Sequence, residues 1–545
     1  MKKRVNMRMK NVFVNMMKNN IGQRAIILTL FLLYLILGIL IYRDYGISTD
    51  EPTERESTFT NIKYAMETLG YEGLNGVNGD LENYSYKYYG IAMQVPPALV
   101  EWAKDFPGGA AIFYYRHIWT FLVCFAGYIC FYLMCREVFK SKWLSLLGTA
   151  MIALYPRFFA EQFYNIKDLV FVSMVMVSMF VTVRVIESNY SVFWTLLFAI
   201  VTALTTNVRI VGAIFPVLLI GYIWLIKILN KCGIETGEES KAVLRTSILT
   251  IVGYVLAYIA FMPILWKNPV QGILSVFTKF SDYDDWNGAV VFMGKIISGD
   301  EIPWYYVPVW MLVSLPVWYI VLFILITGAL LFVVFQKLRK NEKLHFSMLI
   351  RNKYMVWAAL IGFLPWFATV VAHSTLYNGW RHCYFVLPTL IFLILGGLKY
   401  FQPYLNKNKV ARGGIILLSA GGLFLQMGWI LKNHPYEMVY FNAVGRNWAS
   451  DFDRDYWHLS MVELCRYILA HDESEKITLQ APNDIFMRFL SDEEKERISL
   501  EENSMYYIET YRGKTGNDSV MEGYEDYYSI TIDGYRIATI FKRIV

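Results

Sequence analysis

Charged residues and cysteines are scarce in this sequence, and several motifs of soluble enzymes are missing from it. Only 18% of the 545 residues are charged whereas 56% are hydrophobic, which is not the composition of soluble domains. The six cysteines are too few for a disulfide framework. The sequence has no Gly-rich Walker-type loop, no His-Glu-x-x-His motif and no Cys-x-x-Cys pair, so it lacks the usual evidence for ATP-driven transport and zinc hydrolysis. The net charge of +6 gives no support for nucleic-acid binding.

Long apolar runs fill most of the chain instead. Because a helix needs roughly 20 apolar residues to cross a bilayer, each run is a candidate membrane span. The runs lie at about 25–42, 111–135, 143–156, 169–186, 192–206, 210–226, 246–265, 306–334, 354–372, 384–398 and 413–431. The sequence therefore predicts a polytopic α-helical membrane protein with about 11 transmembrane helices.

The lysine and arginine residues indicate how these spans are oriented. Seven of them, and no acidic residue, lie within the first 24 residues, which predicts a cytoplasmic N-terminus. Further basic loops follow the second, sixth, eighth and tenth runs, so they alternate in phase with the spans. An odd number of spans then places the C-terminus on the extracytoplasmic side.

Three long segments fall on the external side, at about 43–110, 266–305 and 432–545. The first two are loops of a predicted transmembrane domain at 25–431, which follows the basic segment 1–24. The third segment predicts a small external α/β domain, because its apolar residues alternate and Asp533-Gly534 is typical of a hairpin turn. Its predicted elements are a helix at 459–470, strands at 476–480 and 506–510, and a hairpin of 527–532 with 535–541.

Two acidic pairs stand at predicted external ends of spans, where an ionisable residue is a functional candidate. Asp50 and Glu51 follow the first span, and such a pair suits a general base with a carboxylate that orients a substrate or metal. The alternative is an acidic loop that caps a short helix. Lys167 and Asp168 open the fourth span and could hold an acceptor or a metal, whereas the alternative is a charge pair that anchors the span at the interface.

Basic and aromatic residues form the other candidates. Arg116 lies within the second span and Arg209 separates the fifth from the sixth; a guanidinium suits a lipid phosphate because its planar fork holds two oxygens. Trp380, Arg381 and His382 lie in a short external turn and could bind a sugar ring and its phosphate. The alternatives are snorkelling arginines and an aromatic belt at the membrane surface. The remaining carboxylate pair, Asp282-x-Asp284, is interpreted as a chance occurrence.

Together, Asp50-Glu51, Lys167-Asp168, Pro303-Trp304-Tyr305-Tyr306 and the turn around Arg381 resemble the GT-C superfamily of polytopic glycosyltransferases. The most similar branches are the protein O-mannosyltransferases and the lipid A aminoarabinose transferases, together with a bacterial subgroup. The resemblance implies a polyprenyl-phosphate sugar donor, an active site outside the cytoplasmic membrane of a bacterium, Asp50 as the base, and Arg116 as a phosphate contact. Members of the superfamily differ in their use of a divalent metal, so metal dependence stays open.

The predicted function is transfer of a hexosyl or pentosyl group from this donor to a cell-envelope glycan, a lipid or a protein. Loss of the sugar leaves a phosphomonoester with an additional negative charge, so nearby cations would stabilise the transition state. A single base implies inversion at the anomeric carbon. The alternative is a secondary transporter or lipid flippase with an external domain, which would place its polar residues near the midplane of the bilayer.

Overall fold

The computed structural model describes residues 20–72, 77, 79–104, 109–231, 240–281, 288–340, 352–516 and 522–544. Most of the basic N-terminal segment, Cys232 and the Asp282-x-Asp284 pair therefore lie outside the described residues. The described chain is predominantly helical, with a small sheet near its C-terminal end.

The helices are named here in chain order. They are α1 (Asn20–Ile41), α2 (Asp50–Thr68), α3 (Val95–Lys104), α4 (Ala110–Phe139), α5 (Lys142–Ala153), α6 (Pro156–Tyr164), α7 (Asp168–Glu187), α8 (Val192–Val208), α9 (Ile214–Lys231), α10 (Ser240–Ala260), α11 (Pro269–Ser281), α12 (Tyr306–Ser314), α13 (Val317–Arg339), α14 (Lys353–Val371), α15 (Val386–Tyr400), α16 (Gln402–Lys407), α17 (Lys409–Asn433), α18 (Met461–His471) and α19 (Asp492–Glu496).

All eleven predicted apolar runs coincide with helices, but the helices differ in their capacity to cross a membrane. Within the described ranges, eight are long and apolar enough, namely α1, α4, α7, α9, α10, α13, α14 and α17. The pair α5 and α6 would be a ninth span, bent by 66°, while α8 and α15 are shorter apolar helices. The chain is therefore a multi-pass membrane protein with at least eight spans in its described part.

The predicted single span at 306–334 is wrong, because the structure divides it into α12 and α13. The break falls at Leu315, whose backbone is extended at φ −75° and ψ 141°, and at Pro316. A residue that precedes proline is displaced from the helical region by the proline ring, and proline itself cannot donate the helical hydrogen bond. The hydrophobic run alone did not reveal this corner.

The centre of the membrane domain is α7, which packs against α4 and α8. It is the most enclosed of the candidate spans, because 83% of the residues in its 18-residue apolar stretch are buried. Close contact with α4 depends on Gly127, because a Cβ atom there would lie 2.9 Å from the Cα atom of Ser173 on α7. The buried position of α7 fixes its N-terminal residue, Asp168, at the centre of one end of the bundle.

The five strands near the C-terminal end form one mixed sheet, and a separate hairpin precedes α12. The hairpin consists of β1 (Ala289–Phe292) and β2 (Lys295–Ser298); the sheet strands are β3 (Ile477–Gln480), β4 (Ile498–Leu500), β5 (Tyr506–Glu509), β6 (Tyr524–Ile532) and β7 (Tyr535–Arg543). The spatial order of the sheet is β4-β3-β5-β7-β6. The predicted hairpin turn is confirmed, since Asp533 and Gly534 both have positive φ angles, of 48° and 93°. The sequence did not indicate β4, which has only three residues.

The sheet is attached to the membrane helices through the residues that follow α17. The Trp310 ring of α12 lies 4.8 Å from that of Phe452, and the Tyr535 hydroxyl on β7 donates a 2.8 Å hydrogen bond to the Val439 carbonyl. These side chains belong to one continuous hydrophobic core with α4 and α7. The terminal region therefore contributes to the same end of the bundle as Asp168.

Candidate active site

A cavity of about 600 Å³ opens at the end of the bundle where α8 and α14 finish and α7 begins. Its walls come from α2, the 86–90 segment, the 206–211 segment, the 372–382 turn and the terminal domain. Six charged or imidazole side chains in its lining indicate a candidate active site, namely Asp50, Glu54, Lys167, Arg209, Arg381 and His382. Five of these six were predicted from the sequence.

A chain of ion pairs organises the base of the cavity. Asp168, which is completely buried, accepts from Arg209 through Oδ1 and from Arg381 Nη1 through Oδ2, the latter at 3.2 Å. The same Arg381 Nη1 lies 3.0 Å from Asp50 Oδ2. Asp168 is held at the start of α7 by its own backbone N–H, which donates to Asn165 Oδ1 at 2.8 Å. One carboxylate thus fixes two guanidinium groups relative to each other.

The 377–381 turn buries Arg381 between two aromatic rings. Asn378 and Gly379 have φ angles of 55° and 75°, and this left-handed geometry reverses the chain just before the arginine. The guanidinium carbon lies 4.9 Å from the centre of the Tyr377 ring and 4.5 Å from that of Trp457. Burial opposes the charge of Arg381, but the carboxylates of Asp50 and Asp168 outweigh it and raise its pKa well above the ordinary value. Arg381 is therefore a permanent cation.

Two further predicted residues also face the cavity. Burial, assisted by the charges of Arg209 and Arg381, holds the pKa of His382 well below its usual range, so its imidazole is neutral. Lys167 pairs with Glu54 and lies over the Tyr89 ring, with 3.8 Å between its Nζ and the ring centre. Lys167 is consequently held by these two contacts rather than projecting freely.

Four predicted site residues do not line the cavity: Asp168, which contacts Arg209 and Arg381 at its base, and Glu51, Arg116 and Trp380. Glu51 is completely buried, accepts from the Ser48 backbone at 2.8 Å, and pairs with His117 Nε2 at 3.0 Å. Arg116 is also completely buried and pairs with Glu101 at 2.8 Å.

The indole of Trp380 points away from its neighbour Arg381 and donates to Ser314 Oγ at 3.0 Å. These contacts place Glu51, Arg116 and Trp380 beside the cavity rather than in its wall, and their roles in catalysis and donor binding stay predictions.

The acidic residues of the cavity are poorly suited to a metal ion. Among the described residues, no three His, Cys, Asp or Glu side chains lie close enough together to hold one. Asp50 and Asp168 direct their oxygens at Arg381 and Arg209 instead. Their arrangement matches an ion-pair network, so no step of the proposal below uses a metal.

Three charged residues of the cavity lining, Glu54, Asp300 and Arg512, were missed by sequence reasoning. Glu54 follows Asp50 by four residues on α2, so the spacing of one helix face could have revealed it. Arg512 comes from the segment after β5 and reaches the cavity from the terminal domain. Nothing in its local sequence indicated this, because the contact depends on how the domain docks.

Part of the chain is similar to a known protein family. Residues 89–270 match the sequence model of the family described as dolichyl-phosphate-mannose-protein mannosyltransferase, PMT. The matched segment contains Lys167, Asp168 and Arg209, whereas Asp50 and Arg381 lie outside it. No curated protein matches the chain.

One similar solved structure is the archaeal oligosaccharyltransferase AglB from Archaeoglobus fulgidus, in complex with an inhibitory peptide and a dolichol-phosphate. The TM-score is 0.45 at 10% sequence identity, and the similarity covers 86% of this chain but only 64% of AglB. The described part of the chain has eight helices that are long and apolar enough to cross a membrane. Together with these helices, the family match agrees with the resemblance seen in the sequence. The match over residues 89–270 supports a membrane glycosyltransferase of the GT-C type.

Proposed function

We propose that this protein transfers a sugar from a polyprenyl-phosphate donor to a hydroxyl group of an acceptor on the extracytoplasmic face of a bacterial cytoplasmic membrane. The observation that carries the proposal is that a partly exposed carboxylate, Asp50, shares one cavity with Arg209 and Arg381 at the ends of apolar helices. A glycosyl transfer from a lipid phosphate needs a base, cations and access from the bilayer.

Access from the bilayer is supported by the side of the cavity that contains Arg209. Its neighbours in the lining, Val208, Ile210 and Val211, are apolar and lead directly into α9. Farther along α9, Val217 is 67% exposed, as expected for a side chain that faces lipid. A polyprenyl chain could lie along this surface with its phosphate at Arg209, where water and lipid meet.

The proposed base is Asp50, whose side chain is 36% exposed. Its Oδ2 is held by Arg381, while Oδ1 has no hydrogen-bond partner in the described part of the chain and can accept a proton. As the acceptor oxygen forms its bond to the anomeric carbon, its proton passes to Asp50 and the bond from that carbon to the phosphate oxygen breaks. Attack from the side opposite the phosphate inverts the anomeric carbon, and general base catalysis of this kind contributes roughly 100-fold to 10,000-fold.

The proposed phosphate-binding residues are Arg209 and Arg381, with Lys167 nearby. The leaving phosphomonoester carries one more negative charge than the donor, so prearranged cations stabilise the transition state more than the bound donor. Asp168 fixes both guanidinium groups, which reduces the reorganisation needed as that charge develops. His382, being neutral, can donate or accept a hydrogen bond at the sugar.

The sugar and the acceptor are proposed only by chemical class. The transferred group is a hexose or pentose, and the acceptor is a cell-envelope glycan, lipid or protein. A transporter or flippase is a weaker candidate, because its binding residues would lie near the membrane midplane, whereas this cavity opens where the helices end.

The test is a transfer assay on the purified full-length chain with a panel of polyprenyl-phosphate sugars and extracted envelope acceptors. We expect Asp50→Asn to lose at least 100-fold in turnover while retaining donor binding, because an amide keeps the shape but cannot accept the proton. The matched control is Glu56→Gln, which removes an exposed carboxylate from the same helix. Less than about a tenfold loss in a folded Asp50→Asn protein would contradict the assignment of the base.

A further inference from the structure

Arg512 differs from the other cations that line the cavity. Lys167 pairs with Glu54, Arg209 pairs with Asp168, and Arg381 pairs with Asp50 and Asp168. Arg512 also lines the cavity, but no carboxylate of the described residues lies within 4.0 Å of its guanidinium. The site therefore contains one positive charge that the protein itself does not neutralise by direct contact.

The backbone around Arg512 is firmly built. Tyr511 and Gly513 on either side have left-handed φ angles of 54° and 66°. The Gly513 N–H donates to Asp453 Oδ1 at 2.8 Å, and the other oxygen of this buried carboxylate accepts from Val291 N on β1 at 3.2 Å. Glu509 Oε1 accepts from the Tyr511 N–H at 3.1 Å. These hydrogen bonds fix the backbone on either side of Arg512 and thereby restrict where its side chain can reach.

The hydrogen-bond partner of Arg512 does not neutralise its charge. Arg512 Nη1 lies 3.4 Å from Nε2 of His458. Burial and the charge of Arg512 lower the pKa of His458 to about 3, so this imidazole is neutral. Burial and the charge of Arg381 lower the pKa of Arg512, and the carboxylates of Asp50 and Asp453 offset them only in part. An additional anion beside Arg512 and Arg381 would therefore stabilise both guanidinium groups.

We propose that Arg512 and Arg381 together bind an anionic group of a substrate, a phosphate or a carboxylate, and that the terminal domain thereby forms part of the active site. The inference rests on the proposed glycosyl transfer. The anion has two possible sources, the phosphate of the polyprenyl donor or an acidic group on the acceptor. The two sources are separated by binding measurements, which need no turnover.

The experiment compares the full-length wild type with Arg512→Gln, Arg512→Lys and Arg543→Gln in lipid nanodiscs. Arg543 is an exposed arginine of the same domain that donates to the Asn503 carbonyl and does not line the cavity, so it controls for loss of one positive charge. The first probe is a polyprenyl monophosphate, and thermal unfolding verifies that each variant is folded. If the anion belongs to the donor, Arg512→Gln weakens this binding by about tenfold or more, Arg512→Lys weakens it less, and Arg543→Gln leaves it unchanged.

The second probe is inorganic phosphate, added after the protein is saturated with polyprenyl monophosphate. If the anion belongs to the acceptor, inorganic phosphate raises the unfolding temperature of the wild type and of Arg543→Gln but not of Arg512→Gln. If Arg512→Gln is folded and responds to both probes as the wild type does, the inference is overturned. Failure of the proposed function would instead appear as no transfer by the wild type from any polyprenyl-phosphate sugar of the panel, which is independent of both binding measurements.

Discussion

Asp50 and Arg381 lie 331 residues apart in the chain, yet Oδ2 of the first and Nη1 of the second are 3.0 Å apart at one cavity. The pair joins the first residue of α2 to the turn before α15. It brings the proposed base and a proposed phosphate-binding group into direct contact. A change in Arg381 is therefore expected to affect both the binding of the donor and the orientation of the base.

The Arg381→Lys variant should transfer sugar clearly more slowly than the wild type, and Arg381→Ala more slowly still. Lysine preserves the charge but loses the planar guanidinium, whose Nη1 contacts both Asp50 and Asp168 and whose face lies over the rings of Tyr377 and Trp457. Turnover and donor affinity are measured for both variants, and turnover should fall more than affinity. Wild-type turnover in Arg381→Lys would show that the leaving phosphate is bound elsewhere, most simply at Arg209.

The Asp168→Asn variant should be strongly destabilised as well as slow. Removal of this buried carboxylate leaves Arg209 without its ion-pair partner and Arg381 with only Asp50, and loss of one member of a buried pair costs about 3–5 kcal/mol. The unfolding of the purified protein is measured in detergent. Asp526→Asn is the control because it breaks a more exposed pair with Arg536, which is worth at most about 1 kcal/mol. Equal effects of the two changes would contradict a structural role for Asp168.

The stability of the protein should depend on pH through His434. Its Nδ1 lies 2.7 Å from Glu437 Oε1 and its Nε2 lies 2.9 Å from Asp44 Oδ2, so both contacts need a protonated ring nitrogen. Burial opposes the charge, but the two carboxylates outweigh it and raise the pKa of His434. The stabilisation is fully present below the unfolded pKa of about 6.5 and is lost as the pH rises through the higher folded value.

His434→Gln tests this dependence by thermal unfolding between pH 6 and 9. The wild type should be more stable than the variant at the acidic end, and the difference should shrink toward the alkaline end. A difference that stays constant across this range would show that His434 does not carry the charge.

The predicted orientation of the chain is tested with single cysteines in a cysteine-free background. Glu475 and Lys407 are exposed residues, one in the terminal domain and one beside the tenth predicted run. A membrane-impermeant thiol reagent should label Glu475→Cys in intact cells and Lys407→Cys only after permeabilisation. The native Cys465 is unsuitable because it is completely buried. The reverse labelling pattern would contradict a cytoplasmic N-terminus and an external terminal domain.

Parts of the site that depend on local composition could be predicted from the sequence. Arg381 and Asp168 are ionisable residues at the ends of apolar runs, where burial of a charge is expensive and therefore informative. Trp380 shows the limit of this reasoning, because adjacent residues in a turn can point in opposite directions. The composition of this turn is typical of a sugar-binding surface, but the Trp380 indole is buried against Ser314.

Contacts between distant segments could not be predicted in the same way. Arg116 stays a predicted phosphate contact, but the sequence did not reveal its pairing with Glu101, fifteen residues earlier. Arg512 depends on the packing of an entire domain, which no local pattern encodes. The helices were easier to identify because each long apolar run determines its own element, except where Pro316 divides one.

The stacking of Arg381 on Trp457 has a consequence for the biosynthesis of the protein. Trp457 follows α17, the last candidate span, and Arg512 follows later still. A nascent chain that has already inserted its membrane helices holds Asp50, Asp168 and Arg381 but has only the Tyr377 ring against this guanidinium. The cavity is thus completed by residues that are synthesised after the described membrane helices, so a chain truncated after α17 retains these helices but lacks a finished site.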